Sequence, residues 1–343
     1  MEGGPTPRQM AKGVLNGIVQ PRPLFLPIVF SLGAKVENVT LGSFLGNPTK
    51  ISSSLRQMRM HLRADGVACY FDPYLEVEAL GAKLQRISDH QAPTIHWPDS
   101  VRMGELPEGL RSPEEAPHSG RVPVAVEVIR RMNALPNREF LLMAGVTAPL
   151  TLAAQLTQLE RKNSFHGDYL SEAAQELAAS VATQMATTFL EAGADTIIIQ
   201  EEIVPALSME DYDAWAKLLA PTINVIRFYE ALPLLHLSCD RFARENWELI
   251  CRQHWDCVMC APADVLASLR RDGSPAIAGV PFGIALPLDA FQPAAEYDNS
   301  SSQDIQTWIS YLRPSTITTA GDVPVATDMK HLTKVLEGVP RGI

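Results

Sequence analysis

The sequence is short of positive charge: 29 lysines and arginines stand against 39 aspartates and glutamates, a net charge of -10 with a pI near 5.3. That deficit argues against nucleic acid or an anionic membrane surface as a partner. No run reaches the roughly 20 uninterrupted apolar residues that a membrane-spanning helix needs. The opening residues, Met-Glu-Gly-Gly-Pro-Thr-Pro-Arg, lack a basic stretch followed by an apolar one, which predicts no secretory signal. Cysteines are few and odd in number, five in 343 residues, and predict free thiols in a reducing cytosol rather than a disulfide framework. No Gly-x-Gly-x-x-Gly follows the first apolar run, which weighs against a dinucleotide-binding open sheet. Internal repeats are absent, and the only low-complexity stretch is Ser300-Ser301-Ser302.

What is present is ordinary globular composition, 46% hydrophobic with a mean hydropathy near zero. A chain of this length buries a core that needs no metal or disulfide staple. Helical spacing appears over 8–16, 48–63, 122–132, 168–192, 209–229, 241–254, 262–271, 305–312 and 327–336. Between these lie eight short apolar runs, read as strands over 24–30, 67–72, 140–144, 195–200, 232–237, 255–260, 276–280 and 316–320. Two polar stretches, 86–120 and 287–303, read as long loops, the first suited to a lid or a partner surface. No composition shift marks a linker, so residues 1–343 read as one domain. Eight strands separated by helices predict a single (β/α)8 barrel, with the site at the C-terminal ends of the strands.

On that architecture the strand ends supply Asp72, Gly145, Glu201, Glu202, His236, Cys239, Cys260, Gly279 and Asp322. The segment Tyr70-Phe-Asp-Pro-Tyr74 is the most informative: an apolar run ends in an acid and breaks at proline, which is how a barrel strand delivers a carboxylate to the cleft. Several carboxylates around one histidine suit either a divalent metal or acid–base work. Equally, an acid at such a position caps the helix that follows. Cys251, His254, Cys257 and Cys260 have zinc-like spacing on paper. They divide between a helix and the next strand, where Cys257 and Cys260 point to opposite faces, so buried thiols are the better reading. His236 and Cys239 are a candidate metal pair, with a core histidine beside a buried thiol as the alternative.

The chain resembles the uroporphyrinogen decarboxylase superfamily from Arg8 to Glu337. The resemblance is carried by Arg8-Gln-Met-Ala-Lys-Gly-Val-Leu-Asn-Gly17, Val77-Glu-Ala-Leu-Gly81, Gly120-Arg-Val-Pro-Val-Ala-Val-Glu-Val-Ile129, Pro149-Leu-Thr-Leu152, Glu191-Ala-Gly-Ala-Asp195 and Leu234-Leu-His236. Within the superfamily it looks closest to the corrinoid-linked methyltransferases that act on coenzyme M. The decarboxylases carry Arg-Gln-Ala-Gly-Arg after the first strand, whose arginines hold substrate carboxylates; here Phe30-Ser-Leu-Gly-Ala34 stands there, without either arginine. Their essential acid falls on Asp72. The methyltransferases hold zinc with a His-x-Cys pair and a later cysteine. Here His236 matches, Ser238 replaces the first cysteine with Cys239 beside it, and the later position falls near Asp322, while Glu201 stands at the place of a family acid.

The resemblance therefore implies a zinc-binding set of His236, Cys239, Asp322 and Glu201, with Asp72, Glu201 and His236 as catalytic residues. It implies a methyltransferase acting on a small molecule, with methyl delivered by a corrinoid protein or another one-carbon carrier, and homodimerisation is common among its members. The alternative activity is decarboxylation in porphyrin biosynthesis or of a smaller acid. The second alternative is a barrel that binds a ligand without converting it.

Overall fold

The computed structural model describes residues 4–85, 93–97, 102–159, 170–202, 209–237, 255–261, 281–291 and 300–341. Eight parallel strands form one sheet, joined in the order β1 (Leu24–Phe25), β10 (Thr316–Thr319), β9 (Phe282–Leu286), β8 (Val258–Cys260), β7 (Leu232–Leu237), β6 (Thr196–Glu201), β5 (Leu141–Thr147) and β2 (Gly66–Tyr70). Among the described residues helices fall between β1 and β2, β2 and β5, β5 and β6, β6 and β7, and β9 and β10, so the architecture is a nearly closed (β/α)8 barrel, as the alternation predicts. A small antiparallel pair, β3 (Lys83–Gln85) with β4 (Thr94–His96), lies apart from it, β3 just before the first predicted loop and β4 within it.

The gap between β1 and β2 is bridged by Asp65. Its backbone N–H donates to Phe25 O at 2.9 Å, and its carboxylate accepts the Phe25 N–H at 2.8 Å. Arg22 completes the site from outside, donating to both oxygens at 2.5 and 2.8 Å. Asp195 repeats the device before β6: it accepts Leu142 N–H at 2.9 Å and pairs with Arg138 and with Arg8. Both aspartates follow a helix that ends in a left-handed residue, Arg63 after α4 (Pro48–Leu62) and Gly193 after α8 (Glu172–Ala192). That terminator, followed by Ala-Asp, reverses the chain into the next strand in three residues.

The first strand is shorter than the run 24–30 predicts. Beyond Phe25 the chain stays against β10 through side chains: Thr318 Oγ1 donates to Leu26 O at 2.8 Å, and Ile28 N–H donates to Thr319 Oγ1 at 3.0 Å. The seventh strand is displaced from the prediction. It lies at Phe282–Leu286, while 276–280 falls outside the described residues. Pro281 and Gly283 disguise it, yet Gly283 is required there, because a Cβ would stand 2.0 Å from Thr316 Oγ1 on the neighbouring strand. The predicted helices 241–254 and 262–271 also lie outside the described residues. The second predicted loop, 287–303, gives way at Ser300 to α10 (Ser300–Leu312), which begins earlier than its pattern suggests. Among the described residues no helix is long and apolar enough to cross a membrane.

Replacing Asp65 by alanine strands the Phe25 N–H and the Arg22 guanidinium at the seam. It is expected to destabilise the protein by roughly 3–5 kcal/mol in urea unfolding. Removal of the exposed Glu127, which pairs with Arg131 one turn away on α6 (Val122–Asn133), is expected to cost no more than about 0.5 kcal/mol.

Candidate functional site

A cavity of about 650 Å³ opens at the C-terminal mouth of the barrel. Its polar wall consists of Asp72, Glu202, Asp322, Gln200 and Ser31; Phe71, Leu41, Leu45 and Leu288 supply much of the apolar wall. The alternation of a β-strand decides which residues reach it. On and just past β6, Gln200 and Glu202 face inward, and Glu201 between them faces the helices.

Asp72 follows β2, which carries a bulge at Cys69: Ala68 pairs with Met143, and Tyr70 already pairs with Ala144. Such an extra residue re-aims the chain beyond it. One Asp72 oxygen accepts Tyr74 N–H at 2.9 Å, the other the Arg121 Nη1 at 2.6 Å. Arg121, at the head of α6, also donates from Nε to Glu78 at 2.7 Å. Burial works against its charge, but Asp72, Tyr70 and Glu78 outweigh that and hold the guanidinium charged. Arg121 stands behind Asp72 rather than on the cavity wall, and its buried Nη2 has no partner among the described residues.

Asp322 follows β10, and its two oxygens accept the backbone N–H groups of Phe30 at 2.7 Å and Ser31 at 2.9 Å. Burial, and to a lesser degree the neighbouring charge of Asp72, raises its pKa to about 6 despite these bonds and one from the Ser31 side chain. Glu202 donates its N–H to Thr151 Oγ1 at 2.9 Å and accepts Gln200 Nε2 at 2.8 Å.

Glu201 is a correction to the expectation. Its carboxyl is buried in the helix layer, accepting Thr151 N–H at 2.9 Å, the Thr151 hydroxyl, and Trp215 Nε1 at 3.1 Å. It caps the N-terminus of α7 (Pro149–Leu156) and reaches α9 (Met209–Phe228), so it cannot share a ligand with the inward-facing residues. A second carboxyl, Glu76 on α5 (Leu75–Ala79), grips the same turn from the other side through Thr147 N–H at 3.1 Å and the Thr147 hydroxyl at 2.8 Å. Burial raises both pKa values to about 7.

His236, on β7, is paired in register with Gln200 and so shares the inner face. Its Nε2 lies 3.1 Å from Thr319 O. A carbonyl only accepts, so Nε2 carries the proton and Nδ1 presents a lone pair, for which no donor appears among the described residues. Burial lowers the histidine's pKa to about 4, which leaves the ring neutral.

Of the expected zinc set, the three members among the described residues, His236, Asp322 and Glu201, form no group that could hold a metal. Among the described residues no three His, Cys, Asp or Glu side chains converge. Glu201 is turned outward, and both Asp322 oxygens are engaged by backbone N–H groups. His236 Nδ1 has no hydrogen-bond partner among the described residues. Cys239 lies outside the described residues, as do Cys251, His254 and Gly279. Cys257 and Cys260 are buried, Cys257 beside Thr316 Oγ1 at 3.3 Å.

The sequence did not single out Arg121, Glu76, Gln200 or Ser31. Arg121 had one signal: an acid in apolar surroundings demands a cation, and an arginine heads the otherwise apolar face of α6.

Residues 8–269 match the family model described as uroporphyrinogen decarboxylase (URO-D). The chain belongs to the URO-D family. No curated protein sequence matches it. A methyltransferase from Methanosarcina mazei has a similar structure, with a TM-score of 0.78 at 14% identity, covering 97% of this chain and 98% of the other. A B12-independent methionine synthase from Shewanella sp. W3-18-1 is similar at a TM-score of 0.50 and 12% identity, over 87% of this chain and 86% of that one. At such identities the likeness shows the shared barrel. The URO-D barrel here thus has an acid-walled cavity, with two further buried carboxyls bracing its rim.

Because the native pKa of Glu201 lies above its unfolded value of 4.5, the stability it contributes is fully present below that pH and is lost as pH rises through about 7. In Glu201→Gln this pH-dependent part vanishes. The stability of the variant relative to the wild type is therefore expected to rise by roughly 3 kcal/mol between pH 4.5 and 7 in denaturant titrations. An unchanged difference would show that the carboxyl does not titrate in that window.

Proposed function

We propose that this URO-D family chain is a methyltransferase that moves a methyl group from a one-carbon carrier to a heteroatom of a small molecule held in the cavity. The observation that carries the reading is the cavity wall. Asp72, Glu202 and Asp322 line it, and no lysine, arginine or histidine does among the described residues. A tetrapyrrole bearing eight carboxylates needs charge-assisted donors on that wall. The methyltransferase-like barrel, matched over nearly its full length, supports the same branch.

In this reading the acceptor heteroatom sits against Asp322. With a pKa near 6, Asp322 is mainly ionised at neutral pH and still basic enough to take the acceptor's proton. The heteroatom's freed pair then forms the new bond to carbon, and the carrier leaves with the pair of the broken bond. Asp72, fixed by Arg121 and the Tyr74 N–H, orients the acceptor. A methylated corrinoid brought by a partner protein is the carrier that the resemblance implies, and it would supply the methyl cation equivalent. No step is assigned to zinc, because the three described members of the predicted ligand set form no metal-holding group.

The test follows methylcobalamin consumption with amine, thiol and hydroxyl acceptors, together with mass spectrometry of the methylated product. Asp322→Asn is expected to lower the rate by about a hundredfold while the protein stays folded. Full activity in that variant, or no transfer by the wild type, overturns the reading.

Decarboxylation is the second reading, favoured by the position of Asp72 on the cavity wall, where the family's decarboxylases place their essential acid. Uroporphyrinogen III is expected to be returned unchanged; release of carbon dioxide and appearance of coproporphyrinogen would put decarboxylation first.

A further inference from the structure

The polar groups around the cavity are arranged by donor and acceptor as well as by charge. The nearby donors are directed first at protein groups. Gln200 Nε2 is given to Glu202, the Ser31 side chain to Asp322, and Arg121 to Asp72 from behind the wall. What remains toward the cavity is acceptor capacity: the carboxyls of Asp72, Glu202 and Asp322. His236, on the same inner face of the strands as Gln200, is not part of that wall. The one guanidinium nearby is shared by Asp72 and Glu78, so that group of three keeps a negative surplus. Phe71 adds an aromatic ring to the wall.

A wall of three carboxylates is complementary to a ligand that brings positive charge and N–H donors, and an aromatic ring favours an onium ion further. An anion would meet like charge at all three carboxylates, and a neutral alcohol would leave them uncompensated.

We propose that the cavity binds an organic cation, and that the methyl acceptor is an alkylammonium ion. The fate of the bound molecule rests on the methyl-transfer reading above; its binding does not. The chemistry closes without a further reactant. The ammonium gives one proton to the Asp322 carboxylate, the nitrogen pair forms the bond to the methyl carbon, and the carrier departs with the electrons of its broken bond. Substrate and product are both cations, so the same wall holds both.

The test uses an isosteric pair, choline and 3,3-dimethylbutan-1-ol, which differ in charge and hardly in shape, with 2-mercaptoethanesulfonate as the anion. Calorimetric titration and thermal shift of the full chain at pH 8 are expected to show choline binding at least about tenfold tighter than the neutral alcohol. No binding of the sulfonate is expected. In Glu202→Gln the preference for choline is expected to fall severalfold while the alcohol binds as before, a pattern that misfolding does not produce. Asp322→Asn gives a second reading of the same kind. Equal binding of choline and the alcohol, tighter binding of the sulfonate, or no binding of choline by the folded protein each overturns the proposal. Choline binding without methyl transfer would sustain it and remove the activity assigned above. Methyl transfer to neutral or anionic acceptors, with no cation preference, would do the reverse.

Discussion

Successive residues of a strand point to opposite faces, and in a closed ring of strands those faces are the cavity side and the helix side. Every statement about this site depends on that alternation. It turns three neighbours on β6 into two kinds of residue. Gln200 and Glu202 belong to the cavity, whereas Glu201 belongs to the helix layer. It also puts His236 beside Gln200, because residues paired in register on parallel strands share a face. Where the alternation is broken, at the Cys69 bulge, the acid that follows is brought to the cavity wall with its own arginine behind it.

Seven acids among the described residues fall into three groups by what surrounds them. Asp65 and Asp195 lie at the bases of strands, each accepting a backbone N–H of the neighbouring strand and paired with arginine. They hold the sheet together. Glu76 and Glu201 are buried without a cation, satisfied by hydroxyl, indole and backbone N–H groups, and burial shifts both to about 7. They clamp the turn between β5 and α7 from opposite sides, and that turn in turn holds Glu202 through Thr151. Among the described residues, Asp72, Glu202 and Asp322 are the acids that reach the cavity. In a chain with a net charge of -10, the surplus acid is therefore not spread only over the surface; part of it is concentrated where a ligand enters.

Much of the barrel was legible in the pattern of apolar runs and helical spacing, since burial on both faces makes parallel strands short, β-branched and unbroken, as at Thr196-Ile-Ile-Ile199. The exception is instructive. The β9 strand opens Pro281-Phe-Gly283, a poor strand by local propensity, and exists because Gly283 allows close approach to Thr316. The site was legible only in part. Asp72 and Asp322 were placed at the mouth by their position after a strand, and both are there. Glu201 was placed there by the same rule and is not, because the rule locates a residue along the barrel axis but not on which side of the strand it lies. Arg121, 49 residues from its partner Asp72, had no local signal tying the two together.

The sequence by itself determined the class of fold and the strand-by-strand order that brings distant acids to one end, because apolar periodicity and turn residues act over a few neighbouring positions. Tertiary structure alone decided which acids face the cavity, which are consumed as caps and staples, and which carry a raised pKa. Those outcomes depend on strand register, on the single extra residue in β2, and on the water excluded around each carboxyl, all of which are set only when the ring of strands closes.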